Sequence, residues 1–277
     1  MPKRYVDLHV HTVYSDGTFT PAEAVERAEA LGLAAIGIAD HDSTLGIPEA
    51  LERAASLAVE VVPAVELSST AHGLDIHILG YFIDYSDPEL LRTLSRIRRE
   101  RFKRAVEMLK KLEGMGVNLS MDEVKARAGR GAVGRPHIAE AMVSNGYVRT
   151  YSEAFVRYIG YHSPAYVPKM EISPADIFDL VRSVSGVSVL AHPGTIANDD
   201  IILELVRDGL GGIEIWHSKH DAATTQRFRE FAGRHGLVIA GGSDCHGNRQ
   251  DGPLLGTLPV PYSVLEELRS AKENVAA

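Results

Sequence analysis

Along this chain, short apolar runs alternate with stretches whose apolar positions recur every three to four residues. The short runs read as strands: YVDLHVH (5–11), LAAIGIAD (33–40), VEVVPAVEL (59–67), LDIHILGYFI (74–83), VSVLAHP (187–193), GGIEIWH (211–217) and LVIAGGSD (237–244). The stretches between them read as amphipathic helices, and several carry their own start signals. In TPAEAVERAEALG, Thr20 caps, Pro21 takes the first helical position, Glu23 completes a capping box and Gly32 ends the helix. SPADIFDLV repeats the device with Ser173, Pro174 and Asp176. Strand followed by helix, repeated, predicts parallel strands joined by crossovers. Seven strands predict an α/β barrel related to the (β/α)8 type, with an open doubly wound sheet as the fallback.

The stretch 87–166 breaks the rhythm. It reads as helices only: 87–114, then 120–129, 135–146 and 150–160, with capping boxes at Ser120/Glu123 and Thr150/Glu153. We read it as an all-helical insertion between the fourth and fifth strands, capping a barrel made of 1–86 and 167–277. Its Arg and Lys run at 92–111 reads as a solvated helix face.

Composition narrows the class. The chain of 277 residues is 45% hydrophobic and 24% charged, which describes a globular protein with a sizeable core. Cys245 stands alone, so no intrachain disulfide forms. No apolar run is long enough to span a membrane, and a strand begins too early for a signal peptide, so a cytoplasmic location is expected. Charge is unevenly spread. Residues 87–166 hold 15 Lys and Arg against nine Asp and Glu, whereas the rest holds 14 against 28. An acidic whole argues against duplex nucleic acid and membranes as partners. The basic module leaves room for a small anionic substrate or a short single strand.

The chemistry sits near the strand ends. Side chains two apart on a strand share a face, so His9 and His11 point together while Leu8 and Val10 point away. Asp16 follows in the next loop. The second strand supplies His41, the third ends at Glu66, the fourth carries His77, the fifth ends at His192 and the seventh at Asp244 and His246. The sixth offers Glu214 and His217, with His220 beyond. In α/β barrels the C-terminal rim builds the active site. Six histidines and three carboxylates there are good metal ligands, suited to Mn, Fe or Zn. Three carboxylates cannot neutralise three divalent ions, so such a site stays positive and attracts hydroxide and phosphate.

The ordered motifs DLHVHTVYSDG, ADHD, VEL, DIHILGY, LAHPG and SDCHG resemble those of the PHP family, the polymerase and histidinol phosphatase domain. The helical insertion resembles the branch of small phosphoesterases that includes 3′,5′-bisphosphate nucleotide phosphatases and a 5′-to-3′ exoribonuclease. The resemblance implies a distorted (β/α)7 TIM-like barrel holding two to three divalent ions. His9, His11, Glu66 and Asp244 would take the first. Glu66, as a bridge, with His77 and His192 would take the second, and Asp16, His41 and His246 the third. It implies a phosphoesterase in which a metal-bridging hydroxide attacks phosphorus in line. Arg135, from the GRPHIA segment, would grip a phosphate through its planar fork. His137 and His220 would grip phosphate or protonate the leaving group, and Lys169 is a further phosphate contact.

The expected substrate is a small phosphorylated nucleotide, foremost a 3′,5′-bisphosphate. The rivals are a 5′-to-3′ exonuclease on short single-stranded RNA, a histidinol phosphatase and a non-catalytic binding module. Amidohydrolases also use a first-strand HxH, but their bridging lysine has no counterpart at a strand end here. Asp7 and one of Asp40 and Asp42 are read as supports for ligand side chains. Glu214 and His217 have no metal role in the family pattern.

Overall fold

The computed structural model describes residues 4–248 and 252–275. Among these, eight strands join one sheet: β1 (Tyr5–Val10), β2 (Ala35–Ile38), β3 (Glu60–Ala71), β4 (Leu74–Tyr81), β5 (Val187–Leu190), β6 (Gly212–Trp216), β7 (Val238–Gly241) and β8 (Val260–Pro261). The order is β7-β6-β5-β4-β3-β2-β1-β8. The sheet closes on itself beyond β7. His11 N–H donates to Cys245 O at 2.9 Å and Cys245 N–H to His9 O at 3.3 Å. The chain must pass very close here, since a Cβ on Gly242 would lie 2.3 Å from the His9 nitrogen. The result is a distorted α/β barrel with a helical insert.

Most of the expected strands are present, but not all are parallel. β3 and β4 form an antiparallel hairpin, and β4 is also antiparallel to β5. The two-residue turn His72-Gly73 has φ of 52° and 74°, the left-handed pair that suits a tight hairpin. So short a link has no room for a crossover helix. β8, which the apolar pattern did not predict, pairs antiparallel with Tyr5 and Val6.

β1 also departs from simple alternation. Asp7 pairs with Ile36 and Val10 with Ile38, so β1 carries one residue more than β2 across that interval. This bulge separates Leu8 from Val10, which were expected on one face. Leu8 joins a cluster drawn from β1–β5, β7 and the last helix, inside the barrel. Val10 joins the cluster between sheet and outer helices. His9 and His11 still converge.

The outer helices are α1 (Pro21–Ala30), α2 (Ile47–Ala54), α7 (Pro174–Ser183), α8 (Asp199–Arg207) and α9 (Ala222–His235); α10 (Ser263–Val275) packs on β5, β7 and β8. The Thr20–Glu23 capping box forms, and Ser173 accepts the Asp176 amide. Between β4 and α7 lie α3 (Pro88–Glu113), α4 (Met121–Ala128), α5 (Arg135–Ser144) and α6 (Tyr151–Ala154), the last continuing as a π-turn to Ile159. These four bury their own apolar cluster, including Met108, Leu112, Val124, Ile138 and Met142. No helix among the described residues is long and apolar enough to cross a membrane.

Candidate metal centre

The first-strand histidines meet two carboxylates. His9 Nε2 lies 3.1 Å from His11 Nε2. His11 Nε2 lies 3.2 Å from Glu66 Oε2 and 3.0 Å from Asp244 Oδ1, and His9 Nε2 is 3.4 and 3.5 Å from the same oxygens. Glu66 also gathers a second set. Its Oε1 is 2.9 Å from His77 Nδ1 and 3.1 Å from His192 Nε2, while His41 Nδ1 is 3.0 Å from Oε2. His246 Nε2 is 3.3 Å from Asp16 Oδ1, and these two group with His11 and His41. All nine expected ligand residues therefore come together. His77 reaches the rim from the first half of its strand, because β4 runs backwards and His77 sits opposite Ser68 of β3.

Charge explains what this cluster lacks. Glu66, Asp16 and Asp244 are buried, which alone raises a carboxyl pKa, but facing imidazoles hold all three well below the carboxylate range. Burial lowers the His9 and His11 pKa, and Glu214, Glu66 and Asp244 overcome it, lifting His11 to about 10. His77 goes the other way: burial pushes it down to about 4, so it is a neutral ring with a lone pair. Its Nε2 and Glu66 Oε2 are buried without a hydrogen-bond partner. Two imidazole nitrogens 3.1 Å apart need a cation or a proton between them. Ligand atoms about 2.0–2.2 Å from a common ion stand roughly 3–3.5 Å from each other, the spacing seen here. The donor set fits a multi-metal site.

Supporting groups surround it. Glu214 is fully buried; its Oε1 is 3.0 Å from His9 Nδ1 and its Oε2 accepts the His192 amide at 2.7 Å. It therefore orients one ligand ring and one ligand backbone. His217 Nε2 is 3.3 Å from Asp244 Oδ2. Sequence reasoning left both without a task; the signal was their alternation on β6 toward the rim. Asp7 accepts the amides of Ser243 and Gly256, so it fixes the segment after β7. Asp40 accepts from Thr12 N, Thr12 Oγ1 and Ser15 Oγ at 2.5–2.7 Å, clamping the loop that carries Asp16.

The expected phosphate-gripping residues are more scattered. Arg135 and Lys169 both reach Asp75, each at 3.1 Å, and Arg135 lies near the Tyr161 and Tyr166 rings. Burial pushes Lys169 down to about 8. His137 is buried and its Nδ1 accepts the Gly134 amide. His220 uses both ring nitrogens, Nδ1 toward Ile215 O at 3.0 Å and Nε2 as acceptor from Gly194 N–H at 3.1 Å. The basic run on α3 is only partly a solvated face. Arg101 donates to Asp42 Oδ2 and Ser68 Oγ, both at 2.7 Å, Arg98 to Asp42 O, and buried Arg104 to Val167 O. These residues recur every three positions and turn inward together.

Between the rim and α5–α6 opens a cavity of about 730 Å3. Asp16, Asp244 and His246 form part of its wall, with Arg149, Tyr151 and Lys219 around them.

A closed α/β barrel with a His- and carboxylate-rich rim, under a basic helical insert, defines a metal-dependent phosphoesterase. The PHP domain model matches residues 7–157, and the chain belongs to that family. It is 32% identical to a 3′,5′-nucleoside bisphosphate phosphatase of Chromobacterium violaceum over 96% of each chain. It is 36% identical to a 5′-3′ exoribonuclease of Haemophilus influenzae over 70% of each. Among solved structures it resembles a Bifidobacterium adolescentis protein assigned to the metal-dependent phosphoesterases. That match has a TM-score of 0.89 and 32% identity, over 98% of this chain and 97% of that one.

Proposed function

We propose that the chain releases phosphate from small nucleotides, foremost 3′,5′-bisphosphates. The observation that carries this reading is the continuity of the ligand cluster with the 730 Å3 cavity, a size suited to a small organic ligand. His9, His11, Glu66 and Asp244 hold one divalent ion; Glu66, His77 and His192 a second; Asp16, His41 and His246 a third. Such ions, when bound, supply Lewis acidity toward water and phosphoryl oxygens. The chain's residues do the rest. Glu214 and His217 hold ligand side chains in place. Arg135 and Lys169 present two donors on one side of the cluster, and Asp75 keeps them apart from the carboxylate ligands until a phosphate competes for them. The helical insertion caps the cavity and limits water around the scissile bond. His220, its neutral ring bound at both nitrogens, steadies the loops after β5 and β6.

The exposed outer face of α3, with Arg92, Arg96, Arg99 and Lys103, favours a second reading, trimming of short RNA from its 5′ end. The test is metal content together with phosphate release from adenosine 3′,5′-bisphosphate, 5′-AMP, histidinol phosphate and a 5′-phosphorylated RNA oligomer. Two or three ions per chain with preference for the bisphosphate is the expected result. Preference for RNA, with activity falling steeply in salt, moves the assignment to the second reading. A chain that holds no metal and stays inactive after Mn is added overturns both.

A further inference from the structure

A second, much smaller cavity lies between α3 and the segment that follows the insertion. It measures about 20 Å3, room for one water-sized particle, and is lined by Ser68, Arg101, Arg104 and Lys169, with Ile97 and Ile172 as apolar walls. Arg104 is nine-tenths buried. Its Nε donates to Val167 O at 2.6 Å, but its Nη2 is buried with no hydrogen-bond partner. Buried polar groups in folded proteins are almost always partnered, and a buried guanidinium nitrogen more so than most.

Charge sharpens the point. Four cations, Arg101, Arg104, Arg135 and Lys169, cluster about two buried carboxylates, Asp42 and Asp75. Asp42 is taken by Arg101, and Asp75 is shared by Lys169 and Arg135. Glu100 also lines the cavity, but it is half-exposed and bound by Lys103 at 2.7 Å. Positive charge is therefore in surplus around a space with a dry wall. The surplus shows in the titration of the cations: burial and the neighbouring Arg135 push Arg104 down to about 10.

We propose that this cavity is a binding site for a small monovalent anion of halide type, held by Arg104 Nη2, Arg101 and Lys169. A water partners Arg104 but leaves the charge unbalanced; a halide does both. A phosphate or sulfate is too large for the space, so the site is separate from the one that takes the substrate. The bound anion ties the inner face of α3 to the barrel, beside Ser68 and two residues along β3 from Glu66.

The test uses the metal-loaded full chain. Chloride binding is read from the excess line broadening of the 35Cl resonance, and bromide and sulfate are titrated as competitors. Bromide is expected to remove the excess broadening and sulfate to leave it. Thermal unfolding in chloride or bromide, compared with acetate at equal ionic strength, is expected to show a saturable rise of roughly 2–4 °C. Arg104→Met is expected to abolish both effects, and Lys169→Met to weaken them if the first variant does not fold. No excess broadening overturns the proposal. So does displacement by sulfate as readily as by bromide, which points to the substrate's phosphate site. Broadening that survives in folded Arg104→Met also overturns it, because the halide then sits on the metal ions.

Discussion

The barrel rim and the inner face of α3 both bury carboxylates, and they answer the charge differently. On the rim, Glu66, Asp16 and Asp244 face imidazoles alone. Imidazole carries a proton or gives it up, so this region is balanced only when protons or metal ions come in from solution. Under α3, Asp42 and Asp75 face Arg101, Arg135 and Lys169, cations built into the chain. Fixed cations give a region that stands without a ligand; titratable ones give a region that waits for one. The sorting separates the metal centre from the brace that holds the insertion over it.

The sharpest break of this comparison is Glu66→Gln. Glu66 touches five of the six ligand histidines: His9, His11, His41, His77 and His192. Removing its charge is expected to strip at least two ions and lower turnover beyond the ~10²–10³-fold that one electrostatic donor supplies. The fold survives, because no fixed cation loses its partner. Elemental analysis and phosphate release on the same sample check it. Retained metal places the ligands elsewhere.

The two regions also differ in pH response. In the metal-free chain His11 titrates near 10 rather than its ordinary 6.5. Its contribution to stability is full below the unfolded value and is lost as pH rises toward 10. Glu66 and Asp16 are depressed, so theirs is present above the ordinary carboxylate values and lost in acid. The metal-free chain is expected to lose stability on both sides of about pH 5–6.5. The loaded chain, whose ligand imidazoles carry no proton, stays flat on the alkaline side. Urea midpoints across pH 5–10 with and without chelator read the difference; coincident curves refute it.

Arg101→Met tests the fixed-charge side. It leaves buried Asp42 unpaired, a loss of about 3–5 kcal/mol in unfolding experiments. Asp42→Asn costs less than this, and the double variant less than the sum of the two. Glu214→Gln is smaller again. It weakens the hold on His9 Nδ1, and metal affinity is expected to fall about 10–100-fold with little change in unfolding. An unchanged affinity makes Glu214 a mere space-filler.

How much of this the sequence declared follows the same division. Ligands at successive strand ends, each beside a turn or capping signal, are local features, so the rim was legible from His9 to His246. The reversal of β4 was hidden because His72 does not advertise a left-handed turn as Asn or Gly does. The bulge in β1 was hidden because its extra residue leaves both histidines on the same side. The arginines of α3 were misjudged because charge on a helix is ordinarily solvated. Their spacing alone, with Leu94, Ile97 and Ala105 on the same buried side, pointed inward. Long-range charge pairing such as Arg101 with Asp42 leaves no local trace at all.

The smallest expected effect asks whether the two regions are independent. Beside its charged brace, the insertion touches the rim once more. Arg130 donates to Tyr14 Oη at 2.8 Å, and Gly131 passes so close to the Asp16 loop that a Cβ would lie 2.2 Å from Ser15 O. That loop is already clamped from below by Asp40, so it cannot simply slide away. Gly131→Ala forces either the insertion or the loop to shift, at an overpacking cost of about 1–3 kcal/mol. If the loop gives, Asp16 moves off His246, and one ion is lost while those on Glu66 stay. If the insertion gives, metal content is unchanged and only the KM for substrate rises. The first outcome, which the Asp40 clamp opposes least at Asp16 itself, means that fixed structure in the insertion sets the last ligand of the metal centre. The second leaves the rim self-contained, with the insertion acting on substrate alone.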